Sequence, residues 1–349
     1  MKAKHPDMDD IANLFPNGVY ILSPEGLLTH NAGCIMEGLI DLNVPVHTNA
    51  TEITSRHVSM PMNGKDLSEF VSEPHRNFSA YIVDITHSNT FFPLEGISDT
   101  PVAYLTTSDS SMFCDVPKEF LLFSTHANRF ADKGGNRRPI AFGPTNWLFA
   151  VTAAQPNYAD RDGRILHNFR PTLSQGVRAM LDISFVPLLA ARMQVDRTIY
   201  SPNGYLEALK SASAVLAYGG DFYAPIMNSE WFAKHQKDVH ELHSFSRLDR
   251  DALILRWDSW RFWESLVAGC VTIHLDFDKY GFELPVQPEA WTHYIPVDLE
   301  NLSASAEAIW DRRAEWKDIA AAGRAWALEH YAPAPTAKRV LAELAKVLP

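Results

Sequence analysis

From Gly18 onward the chain alternates short apolar runs with longer stretches whose apolar residues recur every three or four positions. "GVYILSP" (18–24), "VPVHTN" (44–49), "AYIVDIT" (80–86), "PVAYLTT" (101–107) and "FLLFST" (120–125) have the length and the β-branched and aromatic content of buried strands. "CIMEGLIDLN" (34–43) has the period of a helix and falls between the first two. Strands apolar on both faces, with helices between them, belong to parallel sheets covered on both sides. "AAQPNYADRDGR" (153–164) breaks the pattern with Pro, Asn, Gly and charges, and reads as a linker.

After residue 164 the alternation restarts. "ILHNF" (165–169) is a strand, and "TLSQGVRAMLDISFVPLLAARM" (172–193) is a helix interrupted before Pro187. "YLEALKSA" (205–212) is a helix and "SAVLAYGG" (213–220) a strand. A helix over 260–268 and strands at "GCVTIHLD" (269–276) and "THYIPVD" (292–298) follow. Residues 303–347 are nearly all helical, with a break at "YAPAPT" (331–336). The expectation is an α/β protein with an N-terminal domain over 1–155, a second over 165–330 and a C-terminal helix over 331–349. Two Rossmann-like domains facing each other across a cleft, with a helical tail, resemble the layout of the GT-B glycosyltransferases.

Composition narrows the function. A net charge of −11 over 349 residues disfavours nucleic acid, whose phosphates attract basic surfaces. The chain has no apolar run long enough for a membrane span, and its charged start lacks the apolar core of a secretory signal. The three cysteines (Cys34, Cys114, Cys270) are far apart and odd in number, as in a reducing compartment, so a cytoplasmic setting without disulfides is expected.

Candidate chemistry concentrates in "WDSWRFWESLVAGCVTIHLD" (257–276). Arg261 and Glu264 are three apart and share a helix face. Ser259 or Asp258 can cap that helix, whose first turn carries a partial positive charge suited to anions. Arg261 adds a planar fork for phosphate oxygens, and Glu264 an acceptor for ribose hydroxyls. The alternative is a surface ion pair between the two.

"SWRFWESLVAGCVTI" (259–273), followed by "PEAWTHYIPVDLENLSASAEAIW" (288–310), resembles the donor-domain signature of the exostosin-like and protein O-glucosyltransferase groups. "HNFRPTLSQGVRAMLDIS" (167–184) is similar to their "FRG…R" segment, with Pro171 where those families often have Gly, and "LKSASAVLAYGG" (209–220) to the strand before their donor site. The resemblance covers residues 165–330. It implies that Arg261 contacts the donor diphosphate, that Glu264 lies near the ribose and that Arg170 lies near the same phosphates.

Around this nucleus, Arg247 is a further cation for the diphosphate, and Gly219 and Gly220 would let a backbone approach the ligand. Asp276 follows a strand and faces the donor sugar, and His293 with Tyr294 would flank the base. "LDFD" (275–278) holds an Asp-x-Asp that could ligate a metal through Asp276 and Asp278, but the cationic site needs none. "HQKDVHELHSF" (235–245) spaces its histidines poorly for a metal and reads as a solvated helix. A transferase also needs a base near the acceptor hydroxyl. Asp109 and Asp84, at strand ends of the N-terminal half, and His30, in the connection from the first strand to the first helix, are the leading candidates, ahead of Glu25, His87 and His126. The expected activity is metal-independent transfer of a sugar from a nucleotide diphosphate sugar to a carbohydrate, protein or small-molecule acceptor hydroxyl. The nucleotide sugar is a co-substrate, and no cofactor is required. A non-catalytic nucleotide-sugar-binding scaffold and a sugar-nucleotide epimerase are the alternatives.

Overall fold

The computed structural model describes residues 11–347 apart from 55–64, 75–76, 89, 92–93, 95–99, 110–116, 118, 132–135, 170–175 and 224–252. The chain divides into two compact units. One comprises Met1–Thr125, Gly134–Ala150 and Glu329–Pro349, the other His126–Lys133 and Val151–Leu328.

The first unit contains strands β1 (Val19–Leu22), β2 (Leu27–Leu28), β3 (Val46–Thr48), β4 (Glu52–Ile53), β5 (Ala80–Asp84), β6 (Val102–Thr106), β7 (Leu121–Ser124) and β8 (Arg137–Pro139). Six of them form a parallel sheet in the order β3-β1-β5-β6-β7-β8, with Val19 of β1 opposite Val46 of β3 and Ala80 of β5. Strands β1, β5, β6 and β7 are buried along almost their whole length, which explains why apolar runs rather than strict alternation mark them. Helix α1 (His30–Asp41) begins four residues before the expected start. Ala32 and Gly33, ahead of the expected start, are buried within it. Helix α2 (Asn146–Val151) starts where its Asn146 N–H donates to the buried Glu37 carboxylate of α1 at 2.9 Å.

The second unit holds β9 (Ile165–Leu166), β10 (Val195–Asp196), β11 (Ala214–Leu216), β14 (Val271–Leu275) and β15 (Ile295–Val297), all parallel, in the order β10-β9-β11-β14-β15. Strands β12 (Asp221–Tyr223) and β13 (Leu253–Leu255) form a separate antiparallel pair. The helices are α3 (Gly176–Ser184), α4 (Val186–Ala190), α5 (Pro202–Ser211), α6 (Trp260–Val267), α7 (Phe277–Tyr280), α8 (Leu302–Asp311) and α9 (Trp316–Tyr331). Pro187 sits in the first turn of α4, so the long apolar stretch breaks there as its sequence demands. The charged linker is tied down by Arg161, whose guanidinium donates to the Ala212 and Ala268 carbonyls at 2.7 and 2.6 Å.

The chain enters this sheet at β9, steps to β10 on one side and then to β11 on the other. The winding therefore reverses between β9 and β11, and in doubly wound sheets ligands bind beyond the carboxyl ends of the strands at such a point. Helix α10 (Pro333–Ala345), after a break at Ala332, packs against α1 in the first unit. Ala337, Val340, Leu341 and Leu344 join the cluster that holds Val19, Ile21, Ile35 and Leu39. No helix among the described residues is long and apolar enough to cross a membrane.

Candidate functional site

Phe169 lies just beyond β9, and Tyr218 with Gly219 just beyond β11, on the two sides of the reversal point. Their rings are 5.0 Å apart. Two arginines meet on Phe169. The Arg178 guanidinium, from α3, is 4.6 Å from the ring centroid, and that of Arg261, from α6, is 5.3 Å away. Each is anchored through Nε to a backbone carbonyl past a strand end. Arg178 donates to Tyr218 O at 3.1 Å and Arg261 to Asn168 O at 2.8 Å. Anchoring at Nε leaves Arg261 with no hydrogen bond from its Nη groups among the described residues, and such a pair matches two oxygens of a phosphate.

Ser259 is the N-cap of α6 with an extended backbone, but its side chain makes no capping bond. Its hydroxyl accepts instead from Arg178 Nη2 at 3.3 Å. A Cβ at Gly219 would stand 3.3 Å from Trp257 O and 3.4 Å from Arg178 Nη2, so glycine leaves room for that arginine. Gly220 has φ +114°, a conformation that favours glycine. Asp221, buried, holds the start of α3: Oδ1 accepts from Gly176 N at 2.8 Å and Oδ2 from Arg256 Nη1 at 3.2 Å. Arg256 itself has a left-handed backbone, φ 58°.

Beside Phe169, His167 Nε2 is hydrogen-bonded to Asp182 of α3, which also accepts from Arg197 at 3.2 Å. Burial lowers the His167 pKa, against the pull of Asp182, so the ring is neutral at pH 7. Tyr218 is fully buried, and its hydroxyl has no hydrogen-bond partner among the described residues. Desolvation pushes its pKa well above the usual value and keeps it protonated. The Arg178 and Arg261 guanidinium groups, both permanently charged, stand together beyond the strand ends, an arrangement that favours a polyanionic oxygen ligand.

The other sequence candidates are placed as follows. Glu264 is 2% exposed, inside the second unit, and accepts from the Tyr205 hydroxyl at 2.8 Å. Tyr294 is buried, and its hydroxyl accepts from Phe277 N at 3.0 Å. His293 Nδ1 accepts from Glu289 N at 2.8 Å, and its ring stacks on Trp326. Asp276 caps α7 by accepting from Lys279 N, and Asp278 is exposed beside Arg129. No group of metal-ligating side chains occurs among the described residues. In the first unit, Asp84 closes β5, buried. One carboxylate oxygen accepts from Thr29 Oγ1 and the other from Thr86 N and Oγ1. Burial raises its pKa over those lowering hydrogen bonds. His30 opens α1, with Nε2 2.9 Å from Gly143 O; a carbonyl only accepts, so Nε2 carries the proton. Asp109 is exposed after β6. Arg170, Arg247, Cys114 and the 235–245 segment lie outside the described residues.

No family model and no curated protein matches the sequence. Solved structures match by shape along almost the whole chain. An alpha-glucosyltransferase (AGT) in complex with UDP aligns with a TM-score of 0.50 at 9% identity, covering 94% of this chain and 99% of that one. The same kind of enzyme with UDP and a 13-mer DNA containing a central A:G mismatch gives 0.51 at 10% identity over 94% and 99%. AviGT4, a glycosyltransferase involved in Avilamycin A biosynthesis, gives 0.51 at 13% identity over 95% and 98%. The fold is GT-B. This agrees with the two restarting α/β patterns and the helical tail. Within the GT-B fold, the residue that sequence reasoning passed over is Arg178. It stands in the "HNFRPTLSQGVRAMLDIS" stretch, and the trailing Arg of the "FRG…R" resemblance was the signal for it.

Proposed function

We propose that this chain is a glycosyltransferase that binds a nucleoside diphosphate sugar in its second unit and transfers the sugar to an acceptor hydroxyl. The observation that carries this reading is the convergence of Arg178 and Arg261 on Phe169 at the winding reversal of the second sheet. Two planar cations there suit the charge that grows on a departing diphosphate. The GT-B neighbours in complex with UDP support a uridine nucleotide as the first candidate. The order of segments over 165–330, similar to exostosin-like and protein O-glucosyltransferase donor domains, supports the same assignment. The first unit takes the acceptor, with Asp84, His30 and Asp109 as candidates for the base that receives the hydroxyl proton.

A melting-temperature screen against nucleoside diphosphates tests the reading. A ligand at 100 times its dissociation constant should stabilise its unit by about 2.7 kcal/mol. Arg261→Ala removes one charge-assisted contact and should weaken the best ligand by about 1.5–3 kcal/mol, or roughly ten- to hundred-fold. No shift by any nucleoside diphosphate at millimolar concentration, or unchanged affinity in Arg261→Ala, would remove the donor site from this position. Metal independence belongs to the same reading, since arginines rather than carboxylates meet the diphosphate. Turnover should survive EDTA; loss of activity restored by Mn²⁺ or Mg²⁺ would reverse that part.

A further inference from the structure

We infer that Phe169 is a positioning residue that sets the two guanidinium groups to grip both phosphates of one ligand, so that the site selects a diphosphate over a monophosphate. The inference rests on the donor-site reading. Two like charges repel, and held at one site they need a common anchor. Phe169 supplies its face to both, at 4.6 and 5.3 Å, which keeps their carbons within about 10 Å of each other. Each guanidinium is separately fixed by its Nε to a carbonyl, Tyr218 O for Arg178 and Asn168 O for Arg261. Those carbonyls belong to the loops after β11 and β9, so the register of the two strands fixes the spacing of the two forks. The ring is itself wedged between His167, at 4.9 Å edge-on, and Tyr218, at 5.0 Å. His167 is held by Asp182, from the same helix α3 that carries Arg178. The ring, its two supports and both arginines thus form one connected cluster, in which Arg261 makes no other hydrogen bond among the described residues.

A monophosphate can engage one fork well. A diphosphate can engage both, and the advantage depends on the forks being held at a fixed separation. Replacing the ring should therefore reduce the preference between ligands more than it reduces binding as such. The experiment measures affinities of wild type, Phe169→Leu and Phe169→Tyr for UDP against UMP, and for inorganic pyrophosphate against orthophosphate, which carry the recognised group without any base. Urea unfolding of each variant runs alongside. Phe169→Leu should lower the diphosphate-to-monophosphate affinity ratio by about fivefold to tenfold, the worth of a cation–π contact. Phe169→Tyr, which keeps the aromatic face, should restore it. Should Phe169→Leu fail to fold, Arg178→Lys and Arg261→Lys serve. Lysine keeps the charge but loses the planar face and the Nε anchor, and each variant should lose the ratio. Wild-type preference for the diphosphate that persists unchanged in Phe169→Leu, or in both lysine variants, overturns the inference while the donor-site reading stands. A wild-type chain that binds neither class of ligand overturns both.

Discussion

His274 is the penultimate residue of β14, wholly buried among Trp257, Phe262, Phe277 and Phe282. Burial pushes its pKa down from 6.5 to about 4. Between those values the unfolded chain binds a proton that the native state refuses, so stability falls as pH drops from 6.5 towards 4. The slope reaches about 1.4 kcal/mol per pH unit for one such group. Glu37, in the first unit, works in the opposite sense. Its burial raises the carboxyl from 4.5 to about 7, so the native state holds a proton the unfolded chain has lost, and stability falls as pH rises through that window. Among the described residues all tryptophans but Trp147 fall in the second unit, so their fluorescence follows the His274 side. The urea midpoint by that probe should drop between pH 6.5 and 4.5 less steeply in His274→Gln than in wild type. Parallel curves would mean the imidazole does not titrate as its surroundings dictate. Single residues of this kind were the least legible part of the sequence. Glu264 shared a face with Arg261 by spacing, yet spacing cannot say that the face also meets Tyr205 inside the unit. Arg178 and Arg261 are 83 positions apart, and only the register of β9 and β11 brings them to one ring.

Elements were more legible where burial was complete. The β1, β5, β6, β7 and β14 segments carried continuous apolar runs because both faces are covered. Strands β8 and β10 escaped notice because an edge strand needs no apolar signature; β8 reads Arg-Arg-Pro, with proline tolerated at a sheet edge. Helix α6 shows how one element serves two purposes. Arg261 and Ser259 address the strand-end site, whereas Trp263 donates to Asp258 at 2.8 Å and stacks on Trp326 of α9. Trp263→Ala should cost about 3–5 kcal/mol by removing a buried ring. Gly323 of α9 is the complementary constraint. A Cβ there would stand 2.3 Å from His293 O, a backbone atom that cannot swing aside. Gly323→Ala should destabilise the second unit by about 1–3 kcal/mol. Both effects are readable as urea midpoints, with nucleotide affinity of the folded fraction preserved. A variant that kept its stability but lost nucleotide binding would instead put α9 in the donor site.

Across the whole molecule, chain order and unit order differ. The sequence suggested consecutive blocks, but His126–Lys133 belongs with the second unit and Glu329–Pro349 with the first. Local periodicity marks α10 as a helix and is silent on which core its apolar face will cover. The packing answers that. Gly38 of α1 lacks the Cβ that would stand 2.0 Å from Pro333 O, and its absence lets the two helices touch. Ala337, Val340, Leu341 and Leu344 fill the face of α1 presented by Ile35 and Leu39, and Arg138 Nε pairs with Glu343 at 2.9 Å. Each buried leucine or valine is worth about 1.5–3 kcal/mol of transfer free energy, and a whole domain is stable by only about 5–15 kcal/mol. Losing three such side chains together with α10 should therefore unfold the first unit. The second sheet has none of its strands or supporting aromatic rings in that segment. We expect a chain ending at residue 332 to lose amide-exchange protection across β1, β5 and β6 while β11 and β14 stay protected. A nucleoside diphosphate that stabilises the full chain should still raise the midpoint of the second unit. Protection of β1 at its full-length level in the truncated chain would show that α10 only decorates the first unit. Collapse of protection in β14 as well would show that the two units fold as one cooperative body.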